Sequence, residues 1–402
     1  MSMSSVPRSE RVHIALFGNR NSGKSSLINA LTNQPLAIVS PSKGTTTDPV
    51  LKSIEILPLG PCVLIDTAGL DDEGELGRLR IAKSLDMLDK CDIALMVIDG
   101  EAGVTAHDIA LAADIKAKKR PLAVLLNKID RLPDAAAAVK SASEKLGMPV
   151  IPVSAVSGKG LDEVKNALPS LLPDTEDEVK ILDGIVNAGD VAILVCPIDS
   201  AAPKGRLILP QQQVIRELCD AKCGALVCQT GDLAAMLKKL ADPPKIVITD
   251  SQAFKEVAAI VPEMVPLTSF SILFARYKGD IKQLTAGAEA LKTLRDGDRV
   301  LISEGCTHHR QCDDIGTVKI PRWLKQLTGK ELKLEYSSGA GFPEDLSHYR
   351  LIIHCGGCML TRRAMLSRLE AARKAGVPIV NYGIMIACVH GILDRAAAPL
   401  KK

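Results

Sequence analysis

The chain has 402 residues, 47% of them apolar and 24% charged, a mix that suits a soluble globular protein of two or three domains. Its 50 Lys and Arg stand against 47 Asp and Glu, a net charge of +3, so charge implies no polyanionic partner. Aromatic residues, at 2%, are too few for a surface that stacks single-stranded bases, and neither nucleic acid nor membrane is expected as a partner.

The polar segment 1–10 leads directly into a strand-length run at 12–17, with none of the character of a secretory signal. No uninterrupted apolar stretch nears the ~20 residues of a membrane helix. The expected location is therefore cytoplasmic, where 11 Cys imply metal or redox chemistry sooner than a disulfide framework. From residue 11 to 173, strand-length runs at 14–17, 63–66, 93–99, 123–127 and 150–153 alternate with amphipathic stretches, which predicts a parallel sheet covered by helices. Lys116, Lys118, Lys119 and Arg120 read as the solvated end of one of those helices. An acidic connector at 173–178 marks a boundary.

Strands at 191–198, 225–228 and 245–249, each followed by a helix, predict a small α/β domain whose open sheet edge suits a homodimer. A long helical stretch is expected over 269–294. Four strands follow, at 299–303, 331–336, 350–353 and 378–380. Each leads into a loop bearing polar or reactive residues: Cys306; Ser337, Ser338 and Gly339; Cys355 with Cys358; Asn381 and Tyr382. If these strands are parallel, all four loops share the carboxyl edge of one sheet, the usual place for sites in α/β proteins.

Residues 18–25, Gly-Asn-Arg-Asn-Ser-Gly-Lys-Ser, fit G-x-x-x-x-G-K-[ST] between a strand and a helix. Gly18, Asn21, Ser22, Gly23, Lys24, Ser25 and Ser26 are expected to wrap phosphates, with Lys24 reaching the β- and γ-phosphates and Ser25 a magnesium ligand. Asp66-Thr67-Ala68-Gly69 follows a strand, Asp66 holding the magnesium shell and the Gly69 N–H sensing the γ-phosphate. The switch loop at 44–48 supplies Thr46 as a further magnesium ligand. In Asn127-Lys128-Ile129-Asp130 the carboxylate suits the N1–H and N2–H donors of guanine, and Ser154 with Ala155 completes the base pocket. These segments resemble the translation-factor-related GTPases, which implies GTP/GDP and Mg2+ as ligands.

After Gly69 stands Leu70, where Ras-type GTPases carry a water-orienting Gln, so unaided hydrolysis is expected to be slow. Asn21 matches the potassium-ligand Asn of GTPases related to MnmE. That likeness implies K+ as a stimulating ion in place of an arginine finger.

Cys306-Thr307-His308 and His354-Cys355-Gly356-Gly357-Cys358 read C-x-H, a long gap, then H-C-x-x-C. Three soft sulfur ligands, Cys306, Cys355 and Cys358, suit zinc or an iron–sulfur cluster, and the residues alone leave both open. His354 adjoins Cys355 on an extended chain, where neighbours point apart, so it reads as a supporting or exchangeable group together with His308 and Asp313. Cys219 shares a helix face with Val214, Ile215 and Leu218 and is read as core, as are Cys62, Cys91, Cys196, Cys228 and Cys388.

A G domain, a small α/β domain with the segment 203–210 (Pro-Lys-Gly-Arg-Leu-Ile-Leu-Pro) and this C-terminal cysteine pattern resemble the HydF family, the maturation GTPases of FeFe-hydrogenases. The expected fold is α/β: a P-loop G domain over 1–173, a small dimerisation domain over 180–263 and a cluster-binding domain over 264–402, with mainly parallel sheets. The resemblance implies a scaffold with a 4Fe–4S cluster on Cys306, Cys355 and Cys358. Beside it a two-iron precursor would be held as cargo for the FeFe-hydrogenase apoprotein, with the radical-SAM maturases HydE and HydG upstream and GTP turnover in a regulatory role. The competing expectation is a zinc-containing GTPase of ribosome assembly or RNA modification.

Overall fold

The computed structural model describes residues 10–32, 50–57, 59–67, 85–172, 179–198, 207–305, 314–339 and 341–400. The chain divides into two compact units, Met1–Asp177 and Glu178–Lys402.

In the first unit the described strands are β1 (Val12–Phe17), β2 (Val50–Ile56), β3 (Gly60–Asp66), β4 (Ile93–Asp99), β5 (Leu122–Asn127) and β6 (Val150–Pro152). They form one sheet in the order β2-β3-β1-β4-β5-β6, parallel throughout except for the antiparallel pair of β2 with β3. The central strands are apolar on both faces because both are covered. Ile14 and Leu16 pack with Leu27, Ile28 and Leu31 on one side, while Ala15 and Phe17 pack with Met96, Leu111 and Ile115 on the other. Strand β2 is absent from the sequence expectation because its apolar residues alternate with Lys52, Ser53 and Glu55 at a sheet edge, a weaker signal than a continuous run.

The helices start and stop where local chemistry dictates. Thr105 and Asp108 form a reciprocal capping box at the head of Ala106–Ala117. Asp134 caps Ala135–Leu146, which ends at Gly147 in the left-handed region.

The second unit holds two parallel sheets. Strands β7 (Val191–Val195), β8 (Gly224–Cys228), β9 (Ile246–Thr249) and β10 (Leu267–Ser269) stand in the order β10-β9-β7-β8. Strands β11 (Arg299–Glu304), β12 (Lys333–Ser338), β13 (Leu351–His354) and β14 (Ile379–Asn381) stand in the order β12-β11-β13-β14. One continuous buried cluster runs from Ile181 through Phe254, Phe274 and Ile302 to Leu400, so the segments expected as two smaller domains share a single core.

The stretch 269–294 is not one helix. It breaks into Phe270–Lys278, Ile281–Gly287 and a 3-10 turn at Ala288–Thr293. Asp280 causes the break: its carboxylate accepts from the backbone N–H of Lys282 and Gln283 and starts a new helix after Gly279. The second piece then packs its Gly287 directly on β14.

A methyl at Gly287 would lie 2.0 Å from the carbonyl oxygen of Ile379. We expect Gly287→Ala to destabilise the second unit by about 1–3 kcal/mol, the usual cost of overpacking. The chain's one tryptophan, Trp323, lies in this unit. Its fluorescence in a urea titration therefore reports the change directly, as a lower midpoint.

Candidate functional site

The phosphate loop opens at the carboxyl end of β1, which is flanked in parallel by β3 and β4. Gly18 approaches β4 so closely that a Cβ would meet the Val97 carbonyl oxygen at 2.2 Å, and Asn21 takes the left-handed conformation (φ 61°) that turns the loop. Lys24 begins the helix Lys24–Thr32, with Ser25 and Ser26 in its first turn, and its Nζ donates to the carbonyls of Gly18 and Asn19, both at 2.9 Å. Ser25 Oγ donates to Asp66 Oδ2 at 2.6 Å, which places the two expected magnesium ligands side by side. Burial raises the Asp66 pKa; the Ser25 hydrogen bond and the Lys24 charge oppose that rise. Ser22 Oγ is buried with no hydrogen-bond partner among the described residues, a hydroxyl left inside a loop shaped for phosphate.

Asn127 binds the nucleotide loops to one another. Its Nδ2 donates to the Ser22 carbonyl (2.9 Å) and its Oδ1 accepts from Ala155 N–H (3.1 Å), so one buried amide joins the phosphate loop to the base loop. Gly23 leaves room for it, since a Cβ there would meet Asn127 Nδ2 at 2.3 Å. Lys128 is left-handed (φ 64°) and its Nζ donates to Asp99 at 2.6 Å. Asp130 is exposed, and the Ser154 hydroxyl holds its carboxylate below the usual range. Thr46, Gly69 and Leu70 lie outside the described residues.

In the second unit, chain order departs from sheet order between β11 and β13: β12 lies on one side of β11, and β13 with β14 on the other. The crevice at this switch point is where open parallel sheets place ligands. Gly305, at the end of β11, and the turn that follows His354 on β13 meet there. Cys355 Sγ accepts from the N–H of Gly305 (3.1 Å) and Gly357 (3.4 Å), and Gly357 is left-handed (φ 63°), which folds the C-x-x-C turn. Burial pushes the Cys355 thiol up to about 11 and also raises Cys358, although the nearby Lys278 charge opposes the latter. Lys278 Nζ donates to the carbonyls of Cys358 (2.9 Å) and Leu360 (2.6 Å) and so holds the turn from below.

His354 is fully buried, and both ring nitrogens are engaged: Nε2 with Arg368 Nη1 and Nδ1 with the Cys355 carbonyl, each at 2.8 Å. A guanidinium only donates, so Nε2 accepts and Nδ1 carries the proton. Burial and the Arg368 charge depress the imidazole pKa to about 3.

Glu304 and Tyr382 converge beside Gly316, whose absent Cβ would lie 2.6 Å from Glu304 Oε1 and 2.8 Å from the Tyr382 hydroxyl. Asn381 accepts through Oδ1 from Gly383 N–H (2.7 Å) and Ser271 Oγ (3.0 Å). Cys306, His308 and Asp313 lie outside the described residues. Among the described residues, no group of three His, Cys, Asp or Glu is placed to hold a metal. The two described sulfurs on a turn lined with N–H donors do suit a thiophilic metal or cluster.

Of the cysteines read as core, Cys62, Cys91 and Cys196 are buried and Cys228 and Cys388 partly so, but Cys219 is exposed. Its helix, Leu209–Asp220, turns Val214 and Leu218 inward, which leaves Cys219 on the far side. Arg368 and Lys278 escaped the sequence reading. The available signal was Arg368's place in the apolar stripe of Met365, Leu369 and Ala372.

Among the described residues no helix is long and apolar enough to cross a membrane. The chain matches the family model of a 50S ribosome-binding GTPase over residues 13–128, the hydrogen maturase F dimerization domain over 181–279 and the hydrogen maturase F tetramerization domain over 282–399. Curated relatives include the tRNA modification GTPase MnmE of Laribacter hongkongensis, 37% identical over 160 residues, and that of Burkholderia thailandensis, 36% identical over 162 residues. Each alignment takes in 40% of this chain, which thus spans about a third (34%) of either relative. Similar solved structures include Aquifex aeolicus Era bound to GDP and AlF4−, at 20% identity and a TM-score of 0.38, covering 54% of this chain and 91% of that one. Another is the G domain of T. maritima FeoB, at 25% identity and a TM-score of 0.32, covering 40% and 99%. With a GTPase domain in front and the two hydrogen maturase F domains taking up more than half of its length, the chain belongs to the HydF family.

Proposed function

We propose that this protein is a GTP-hydrolysing scaffold that carries a 4Fe–4S cluster on Cys306, Cys355 and Cys358. In this reading it assembles or delivers a two-iron precursor to the FeFe-hydrogenase apoprotein, with HydE and HydG as upstream partners. The observation that carries it is the Cys355–Cys358 turn at the β11/β13 switch point, where two backbone N–H groups point at one sulfur in a chain with hydrogen maturase F domains. N–H donors favour a thiolate over a thiol, and three thiolates leave one iron of a cubane open for exchange, which suits a site that accepts and releases cargo. The exposed edge strand β8 suits the homodimer. GTP acts through the switch segments on partner contacts and takes no part in the cluster chemistry.

For the nucleotide, Ser25, Thr46 and Asp66 hold Mg2+, Lys24 neutralises phosphate charge, and Asp130 reads guanine. Hydrolysis is slow because Leu70 cannot orient water, and K+ at Asn21 supplies the missing positive charge.

Three measurements test this reading. Protein purified anaerobically should be brown and hold iron and acid-labile sulfide, and Cys355→Ala should lose both; stoichiometric zinc without sulfide would show that the metal site is of the other kind. Asp130→Asn should weaken GTP binding by roughly 100-fold or more, since each hydrogen bond to a charged group contributes about 1.5–3 kcal/mol; calorimetry giving wild-type affinity would remove Asp130 from base recognition. GTP turnover should be faster in K+ than in Na+, and Asn21→Ala should erase the difference; equal rates in the two salts for the wild type would rule out the potassium site.

A further inference from the structure

Two buried cations stand against the Cys355–Cys358 turn. Lys278 is 2% exposed and grips the carbonyls of Cys358 and Leu360. Arg368 is 8% exposed, and its surroundings are unusual for a guanidinium. Its Nη1 donates to His354 Nε2, its Nη2 donates to the Gly339 carbonyl, and its Cζ lies 4.9 Å from the centre of the Phe342 ring. Among the described residues no carboxylate pairs with it; burial lowers its pKa, and the Cys355 sulfur opposes that fall. The helix places it in one stripe with Met365, Leu369 and Ala372, where an aliphatic side chain would pack without the cost of stripping a cation of water. A charge kept in such a place needs a negative partner, and metal-bound thiolates are one.

We propose that Arg368 is the positioning and charge-compensating residue of the metal centre. One arm of its fork fixes His354 in the Nδ1–H form, and that proton pins the Cys355 carbonyl and so the aim of Cys355 Sγ. Its charge offsets the negative charge of the thiolates and of the cluster they carry. His354 is a relay in this arrangement and not a ligand, because its Nε2 lone pair is already used. A nearby cation stabilises the more negative, reduced cluster, so its removal lowers the reduction potential. The inference rests on the cluster reading above.

The test uses the full chain, reconstituted anaerobically with iron and sulfide, with the midpoint potential read by EPR-monitored titration. Arg368→Gln should make reduction at least tenfold less favourable, a fall of about 59 mV for a one-electron couple. Arg368→Lys keeps the charge and should stay near the wild-type potential while losing iron to a chelator faster, because ammonium cannot fork between His354 and Gly339. Wild-type protein that takes up no iron and sulfide overturns the cluster reading and this inference with it. Wild-type protein with a cluster, and Arg368→Gln with the same potential and iron retention, overturns this inference alone. Equal shifts in the Gln and Lys variants also overturn it, since they reduce Arg368 to a packing role. If Arg368→Gln does not fold, His354→Gln carries the test: its chelator-driven iron loss should match that of Arg368→Lys, and wild-type retention would overturn the relay.

Discussion

Parallel strand pairing is the constraint on which both sites rest. In a parallel sheet every strand ends on the same edge, and the chain must cross back before the next strand can begin. Where successive crossovers go to opposite sides, two neighbouring loops diverge and leave a crevice. In the second unit this happens between β11 and β13, and Gly305 reaches Cys355 there although 50 residues separate them in sequence. In the first unit β1 lies between β3 and β4, and the same edge brings Ser25 against Asp66 across 41 residues. Neither encounter depends on local sequence.

Within each crevice a single buried side chain converts proximity into geometry. Asn127 does so for the nucleotide loops. It spends its amide on one carbonyl and one N–H from loops 105 and 28 residues away, and a Cβ on Gly23 would take the space it fills. His354 does the comparable work in the second unit, locked between a guanidinium and the carbonyl of the next residue. Both are neutral, so they fix backbone without adding charge to the crevice.

The two units differ in how they are supported from behind. The phosphate loop is closed by contacts that turn its own backbone inward, Lys24 on Gly18 and Asn19, which suits a polyanion approached from solvent. The cysteine turn is backed by Lys278 and Arg368 on carbonyl oxygens, and by the shared core of two sheets beneath them. Merging two small parallel sheets over one core gives that turn a rigid base, which neither sheet of four short strands would supply alone.

The nucleotide site was legible because its groups are local. A Gly-rich turn, a Lys and a Ser act within eight residues, and the sequence states both their chemistry and their spacing. The C-x-x-C turn and the parallel strands around it were legible for the same reason: apolar runs and glycines impose them through backbone sterics and burial. Other features were decided by tertiary structure. Strand β2 exists because β3 offers it an edge, the helix expected over 269–294 breaks where Asp280 outcompetes continuation, and Cys219 faces away from the core because Val214 and Leu218 claim the buried side. Arg368 is the clearest case. Its identity marks only a basic residue on a helix, and only folding buries it against His354 and Phe342, contacts 14 and 26 residues distant. Sequence by itself determined which donor and acceptor atoms the phosphate-loop motif and the C-x-x-C turn bring. Folding decided which charges those atoms would face, because electrostatics at a buried site is set by neighbours brought from elsewhere in the chain.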